Sequence, residues 1–140
     1  MIRVQMSKRI PGYLFAQLGV YCVASLVHFT HNAEFLSAYP NLPAWLTRSE
    51  VYFSWLAVTA VGLAGFICLK SGLRALGFVL IATYAALGFA GLDHYSVAPM
   101  SAHTLAMNST IWFEVLAAAA LFTAALVLLV RSLKVRSVGA

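Results

Sequence analysis

Charged side chains are scarce in this sequence. Only 9% of the 140 residues are charged, and only four of these are acidic, whereas 62% of the residues are hydrophobic. So little charge is not compatible with an ordinary water-soluble domain, which carries about 25% charged residues. The composition therefore indicates a membrane protein.

Cysteine and linker segments are also rare. The two cysteines, Cys22 and Cys68, belong to different apolar segments at different expected depths, so we do not expect a disulfide between them. No internal repeat, low-complexity tract or linker divides the chain, which predicts one domain over residues 1–140.

The first apolar run is too long for a signal peptide and lacks a good cleavage site after it, so we expect it to be retained.

Four apolar runs dominate the chain, at 13–31, 51–69, 73–92 and 105–130. Each is long enough to cross about 30 Å of hydrocarbon as a helix, and lipid cannot satisfy an unpaired backbone. The fold class that we predict is all-α, an integral membrane four-helix bundle with antiparallel up-down-up-down topology. The expected helices are about 11–38, 50–70, 73–94 and 102–131, with an outer loop at 39–49, and Pro40 is the first firm stop after the first span.

The basic residues indicate the orientation. Eight of the nine fall beside the termini or the turn between the second and third spans, and only Arg48 lies at the opposite side; the eight are Arg3, Lys8, Arg9, Lys70, Arg74, Arg131, Lys134 and Arg136. This positive-inside pattern predicts cytoplasmic termini in the plasma (inner) membrane. It also explains the net charge of +5 without a nucleic-acid partner.

Local signals refine the ends of the spans. Thr47-Arg48-Ser49-Glu50 fits a capping box at the start of the second span, and Ser101 is the expected N-cap of the fourth. Tyr39 and Trp45, in the outer loop, are typical of aromatic side chains at a membrane interface.

Polar residues interrupt the apolar pattern at a few positions. His28 and His31 are three residues apart in the first span, Asp93 and His94 end the third, and the fourth carries a stripe at helical spacing of His103, Met107, Thr110 and Glu114. A polar stripe is expensive in lipid, so it should face the bundle interior. The predicted topology places all four histidines and all four acidic residues in the outer half of the molecule.

These residue types favour metal coordination, because imidazole and carboxylate groups are the common protein ligands of Zn, Fe and Cu. The predicted metal ligands are His28, His31, His94, His103 and Glu114, and Met107 is either packing or a soft copper ligand. In an enzyme, a metal-dependent membrane oxidoreductase or hydrolase, Glu114 or Asp93 would act as general acid or base on a hydrophobic or lipid-like substrate.

Three alternatives stay open on sequence grounds. The histidines could hold haem b in an electron carrier. They could form, with Glu114, a metal-free acid–base pocket for an apolar ligand. The polar residues could instead bond helices to one another, or bond the chain to a homo-oligomer or a larger membrane complex in which it is a non-catalytic subunit.

Overall fold

The computed structural model describes residues 10–137, with side chains as far as residue 134, and this part of the chain is helical and has no strand. The basic residues Arg3, Lys8 and Arg9, which contribute to the predicted orientation, lie outside this description, and so does the side chain of Arg136. The α-helices are α1 (Gly12–Glu34), α2 (Arg48–Lys70), α3 (Arg74–Leu87), α4 (His94–Val97) and α5 (Leu105–Ser137), and 3-10 turns occupy Leu36–Ala38, Gly88–Asp93 and Met100–Ala102.

Four helical segments are long and apolar enough to cross a membrane: Gly12–Glu34, Arg48–Lys70, Arg74–Val97 and Leu105–Lys134. Large apolar side chains stay exposed along all of them, for example Phe53 and Leu63 on α2 and Leu116 on α5. Exposed apolar surface of this extent fits contact with a lipid bilayer. The part of the chain that the structure describes is therefore all-helical and suited to span a membrane four times, as the sequence predicts.

The predicted capping box at the start of α2 is confirmed. The Glu50 backbone N–H donates to Thr47 Oγ1 at 3.3 Å, and Glu50 Oε2 accepts from the Thr47 backbone N–H at 2.7 Å and from its hydroxyl at 2.8 Å. These bonds satisfy backbone donors that have no partner inside the helix.

Removing this cap gives a first test of the structure. Thr47→Ala should lower the free energy of unfolding by about 1 kcal/mol, because the first turn of α2 loses its side-chain acceptor. Ser49→Ala in the same turn is the matched control, since Ser49 is exposed and the change should stay within about 0.5 kcal/mol. Equilibrium denaturation in mixed detergent micelles measures both variants, and equal losses would contradict the capping role.

The first and third spans end or break earlier than predicted. Helix α1 stops at Glu34 instead of Ala38, and a 3-10 turn follows. This turn brings Tyr39 back to His31, and the two side chains form a hydrogen bond. The third span changes from α to 3-10 geometry at Gly88. A Cβ atom at Gly88 would lie 2.5 Å from the Tyr21 hydroxyl and 2.8 Å from Ala118 Cβ, so only glycine allows this approach.

The fourth span also begins later than predicted. The Met107 backbone N–H donates to Thr104 Oγ1 at 3.3 Å, so Thr104, and not Ser101, caps the start of α5. Ser101 lies in the 3-10 turn Met100–Ala102, and His103 follows this turn in extended conformation. His103 therefore precedes the helix and is not its first polar position.

Side chains from α1, α3 and α5 make most of the buried core. It contains Leu14 and Tyr21 of α1, Phe78, Ile81 and Tyr84 of α3, and Leu121 and Leu128 of α5. Gly62 and Gly77 allow α2 and α3 to approach closely, because their Cβ positions would fall within 3 Å of Tyr84 and Leu69. The polar site lies beside this core, where α1 meets the start of α5 and the turn Gly88–Asp93.

Candidate functional site

Polar side chains that the sequence spreads over three spans lie together in the structure. His28, His94, His103 and Glu114 are between 1% and 8% exposed, and Tyr39 is 4% exposed. The ring centroids of His28 and His94 are 5.4 Å apart, and those of His94 and His103 are 6.1 Å apart. We call these five residues the histidine cluster.

The hydrogen bonds of His28 define its tautomer. The Thr110 hydroxyl donates to the Met107 carbonyl at 3.0 Å, so its oxygen accepts from His28 Nδ1, which lies 3.4 Å away. The proton of a neutral His28 ring is therefore on Nδ1, and the lone pair is on Nε2. This Nε2 atom faces Glu114 Oε2 at 3.7 Å.

Glu114 is the most deeply buried acidic group in the part of the chain that the structure describes, at 1% exposure. Gly91 lies beside it, and a Cβ atom at this position would be in ordinary van der Waals contact with Glu114 Oε2, at 3.4 Å. A carboxyl group in this setting is stable only if it is protonated or paired with a cation. His28 Nε2 can accept a proton from the carboxyl group. The His28–Glu114 pair therefore holds one proton, which is either on Glu114 or on His28 Nε2.

His94 lies between the other two buried rings. The Asn32 side-chain nitrogen donates to His94 Nε2 at 3.4 Å, so a neutral ring carries its proton on Nδ1. The Tyr39 ring is tilted against His94 with centroids 5.0 Å apart. Asn32 was not among the predicted site residues, because a single Asn at the end of an apolar run gives no signal of a long-range contact.

Two hydrogen bonds that involve backbone carbonyl groups hold His103 in place. Its Nδ1 atom donates to the Pro99 carbonyl at 3.1 Å, and Asn108 donates to the His103 carbonyl at 3.2 Å. A carbonyl only accepts, so the ring proton is on Nδ1, and Nε2 carries the lone pair. This buried Nε2 atom has no hydrogen-bond partner among residues 10–134.

Tyr39 lies in the loop between α1 and α2, and its ring covers His94 and His103. Its hydroxyl lies 2.9 Å from His31 Nδ1, and Asn41, in left-handed conformation, donates to the Val97 carbonyl at 2.8 Å and fixes the loop. Burial raises the pKa of the Tyr39 phenol above its ordinary value. The 3-10 turn places the Tyr39 ring on the histidines, whereas Trp45 is 71% exposed; the interfacial position of this loop stays a prediction.

Two of the predicted site residues, Asp93 and His31, and the acidic residue Glu34 lie outside the cluster. Asp93, predicted as a catalytic group, is exposed, and His31, predicted as a ligand, is half-buried and bonds Tyr39. Glu34 pairs with Arg48 at 2.7 Å and accepts from the Tyr52 hydroxyl at 2.7 Å, so it links α1 to α2 at the surface.

Within the described residues, the predicted metal ligands do not come together in one site. Across the described residues, no three or more His, Cys, Asp or Glu side chains are placed so that they could hold a metal ion. The reason is that His31 turns to Tyr39, while the Glu114 carboxyl group lies against His28 and Ser25 of α1. The rings of His28 and His94 contact each other, with centroids 5.4 Å apart, and the haem alternative stays a prediction.

Both cysteines are free, in agreement with the prediction that they do not pair.

Comparison of the chain with protein-family models, with curated proteins and with solved structures found no match in any of the three.

Proposed function

We propose that this protein is a small multi-pass membrane protein with an acid–base site, in which the His28–Glu114 pair binds one proton and exchanges it with a hydrophobic ligand. The observation that carries the proposal is the 3.7 Å separation between His28 Nε2 and Glu114 Oε2, with both side chains almost completely buried. A general acid and a general base within reach of each other are the minimum for proton transfer without a metal.

The surroundings support this role. Thr110 orients the His28 ring so that its lone pair faces the carboxyl group, and Tyr39 covers the adjacent rings. The low polarity around the pair strengthens the interaction of the two groups with each other and with a bound ligand. We further propose that the site faces the outer leaflet of the plasma membrane, with cytoplasmic termini, because eight of nine basic residues lie on the opposite side of the predicted topology.

Infrared difference spectroscopy on the protein in lipid nanodiscs tests the proposal. A change of pH should produce a carboxylic-acid C=O band that disappears in Glu114→Gln and shifts in His28→Gln, since both variants alter the group that shares the proton. Glu34→Gln is the matched control, because Glu34 pairs with Arg48 at the surface, and the band should keep its frequency. A spectrum that is the same in wild type and Glu114→Gln would contradict a proton site at this pair.

Transition-metal binding is the second candidate, and His103 is the observation that favours it. Its Nδ1–H bond to the Pro99 carbonyl is the arrangement that orients metal-bound histidines, and its buried Nε2 lone pair has no partner in the described part of the chain. His28 also presents an Nε2 lone pair, whereas that of His94 accepts from Asn32, so a shared ion requires His94 to exchange this bond and the three rings to rotate. Metal analysis of the purified protein, with His103→Ala for comparison, tests this candidate, and absence of stoichiometric metal in wild type excludes it.

A further inference from the structure

A chain of hydrogen-bonding side chains leads from the buried His28 ring to the end of α1. His28 Nδ1 lies 3.4 Å from Thr110 Oγ1, and the Thr110 hydroxyl also interacts with the hydroxyl of Tyr39. The Tyr39 hydroxyl lies 2.9 Å from His31 Nδ1. We call these four residues, His28, Thr110, Tyr39 and His31, the hydroxyl chain. Its two hydroxyl groups can each donate and accept, so they can pass a proton from one imidazole to the other.

The His31 end of the hydroxyl chain lies close to water. His31 is half-buried and precedes Glu34 by one helical turn. Glu34 forms its ion pair with Arg48, whose side chain is 66% exposed, and charged side chains of this kind stay at the aqueous level of a membrane protein. Tyr39 itself is 4% exposed. The Tyr39 hydroxyl therefore links a ring that borders water to a ring that does not.

The contacts of the pair on the core side end at a group that cannot pass a proton. Glu114 lies against Ser25, and Ser25 in turn contacts Tyr21. The Tyr21 hydroxyl donates to the Tyr84 carbonyl at 3.1 Å. Because a backbone carbonyl only accepts, this contact ends inside the core.

The other histidines offer no second route. The rings of His28 and His94 meet edge to face, at 77°, and His94 Nε2 accepts from the Asn32 amide. His103 Nδ1 donates to the Pro99 carbonyl. These bonds hold the two rings in place, but they lead to an amide and to a carbonyl, which do not exchange protons as hydroxyls and imidazoles do.

We propose that the hydroxyl chain is the route by which the proton of the His28–Glu114 pair exchanges with water, and that this exchange passes through the Tyr39 hydroxyl. The inference rests on the proposed function and adds the way in which its proton site is reached. Tyr39 is thereby a relay residue and not only a cover over the histidine cluster.

The transfer conserves protons at every step. After Glu114 has given its proton to His28 Nε2, the His28 Nδ1–H bond breaks and its proton binds Thr110 Oγ1. The Thr110 hydroxyl, turned away from its carbonyl acceptor, gives its own proton to the Tyr39 oxygen, and the Tyr39 proton binds His31 Nδ1. One proton has then moved from His28 to His31, and uptake of a proton from water is the reverse sequence.

A relay and a simple cover predict opposite effects of removing the Tyr39 hydroxyl. Tyr39→Phe keeps the ring that packs on His94, but it removes the bond to His31 that holds the loop. If Tyr39 only covers the cluster, the loop opens more often and proton exchange becomes faster. If Tyr39 is the relay, exchange becomes slower by about a hundredfold, since a positioned group that transfers a proton contributes about this much or more.

The experiment measures how fast the His28 Nδ1 proton exchanges with water at constant pH. The protein carries ¹⁵N-labelled histidine in lipid bilayers, and the His28 signal is assigned by its loss in His28→Gln. Proton-detected solid-state NMR follows magnetisation transfer from water and, where exchange is slow, the loss of signal in D₂O. Unchanged signals of the His94 and His103 rings show that a variant keeps the cluster intact.

Two variants and one control test the route. Thr110→Val has a similar shape without the hydroxyl and should slow exchange as Tyr39→Phe does. The double variant should be no slower than either single one, because both changes interrupt the same chain. Tyr95→Phe is the matched control, since the Tyr95 ring lies 5.4 Å from His103 and its hydroxyl donates to Asn108, outside the hydroxyl chain; it should exchange at the wild-type rate.

Exchange in Tyr39→Phe at or above the wild-type rate would overturn the proposal, and so would equal slowing in Tyr95→Phe. Failure of the proposed function gives a different result. In that case Glu114→Gln leaves the His28 Nε2 resonance unchanged, whereas the exchange rates of the Nδ1 proton still decide whether the route passes through Tyr39.

Discussion

Replacing His28 with leucine should lower the free energy of unfolding by about 3 kcal/mol, and adding Glu114→Leu should restore most of this loss. In the single variant the buried Glu114 carboxyl group loses the ring that faces it at 3.7 Å. Removing one member of a buried pair typically costs 3–5 kcal/mol, whereas replacing both members with apolar side chains is often neutral. The double variant should therefore be more stable than His28→Leu alone.

The measurement is a double-mutant cycle by equilibrium denaturation in mixed micelles. A coupling energy above about 1 kcal/mol indicates direct interaction between the two sites. His31→Leu serves as the control, because His31 is half-buried and bonds the Tyr39 hydroxyl, and its loss should be about 1 kcal/mol without coupling to Glu114. Additive effects of His28→Leu and Glu114→Leu would show that the two side chains do not share a proton.

Gly88→Ala should lower the free energy of unfolding by about 2 kcal/mol, although alanine favours helix more than glycine does. The new Cβ atom would fall 2.5 Å from the Tyr21 hydroxyl and 2.8 Å from Ala118 Cβ, and both neighbours are buried. Overpacking of this kind costs about 1–3 kcal/mol. Tyr21 would have to move, and its hydrogen bond to the Tyr84 carbonyl at 3.1 Å would be strained.

Gly19→Ala is the matched variant on α1. No atom lies within 4 Å of the Cβ position at Gly19, so only the intrinsic preference for helix changes, and the variant should be more stable by up to about 1 kcal/mol. Thermal denaturation in the same detergent compares the two alanines. If both variants are stabilised equally, α3 does not approach α1 at Gly88 as closely as the structure shows.

The four membrane-spanning segments could be predicted because they depend on local composition alone. Lengths and hydropathy of the apolar runs are sufficient for a helix that spans a bilayer, and the capping box is readable in four consecutive residues, 47–50. The inward position of Met107 and Glu114 follows from helical spacing and from the cost of polar groups in lipid. Each of these features needs no information about the rest of the chain.

The remaining features depend on contacts between distant residues. The turn that follows the early end of α1 places Tyr39 on His94, which is far away in the sequence. The close approach at Gly88 involves Tyr21 and Ala118, which belong to other helices. The predicted ligand set is not brought together because His31 has a closer partner in Tyr39, and nothing in an isolated Tyr39-Pro40 dipeptide distinguishes a buried ring from an interfacial one.

The distance between the Glu114 carboxyl carbon and His28 Nε2, measured by solid-state NMR on ¹³C,¹⁵N-labelled protein in lipid bilayers, tests the proton site most directly. The 3.7 Å separation of Nε2 and Oε2, extended by one carbon–oxygen bond, predicts a value of no more than about 5 Å. Glu114→Gln should also shift the His28 Nε2 resonance and leave that of His31 Nδ1 unchanged. No measurable dipolar coupling between the two groups would contradict the proposed pair.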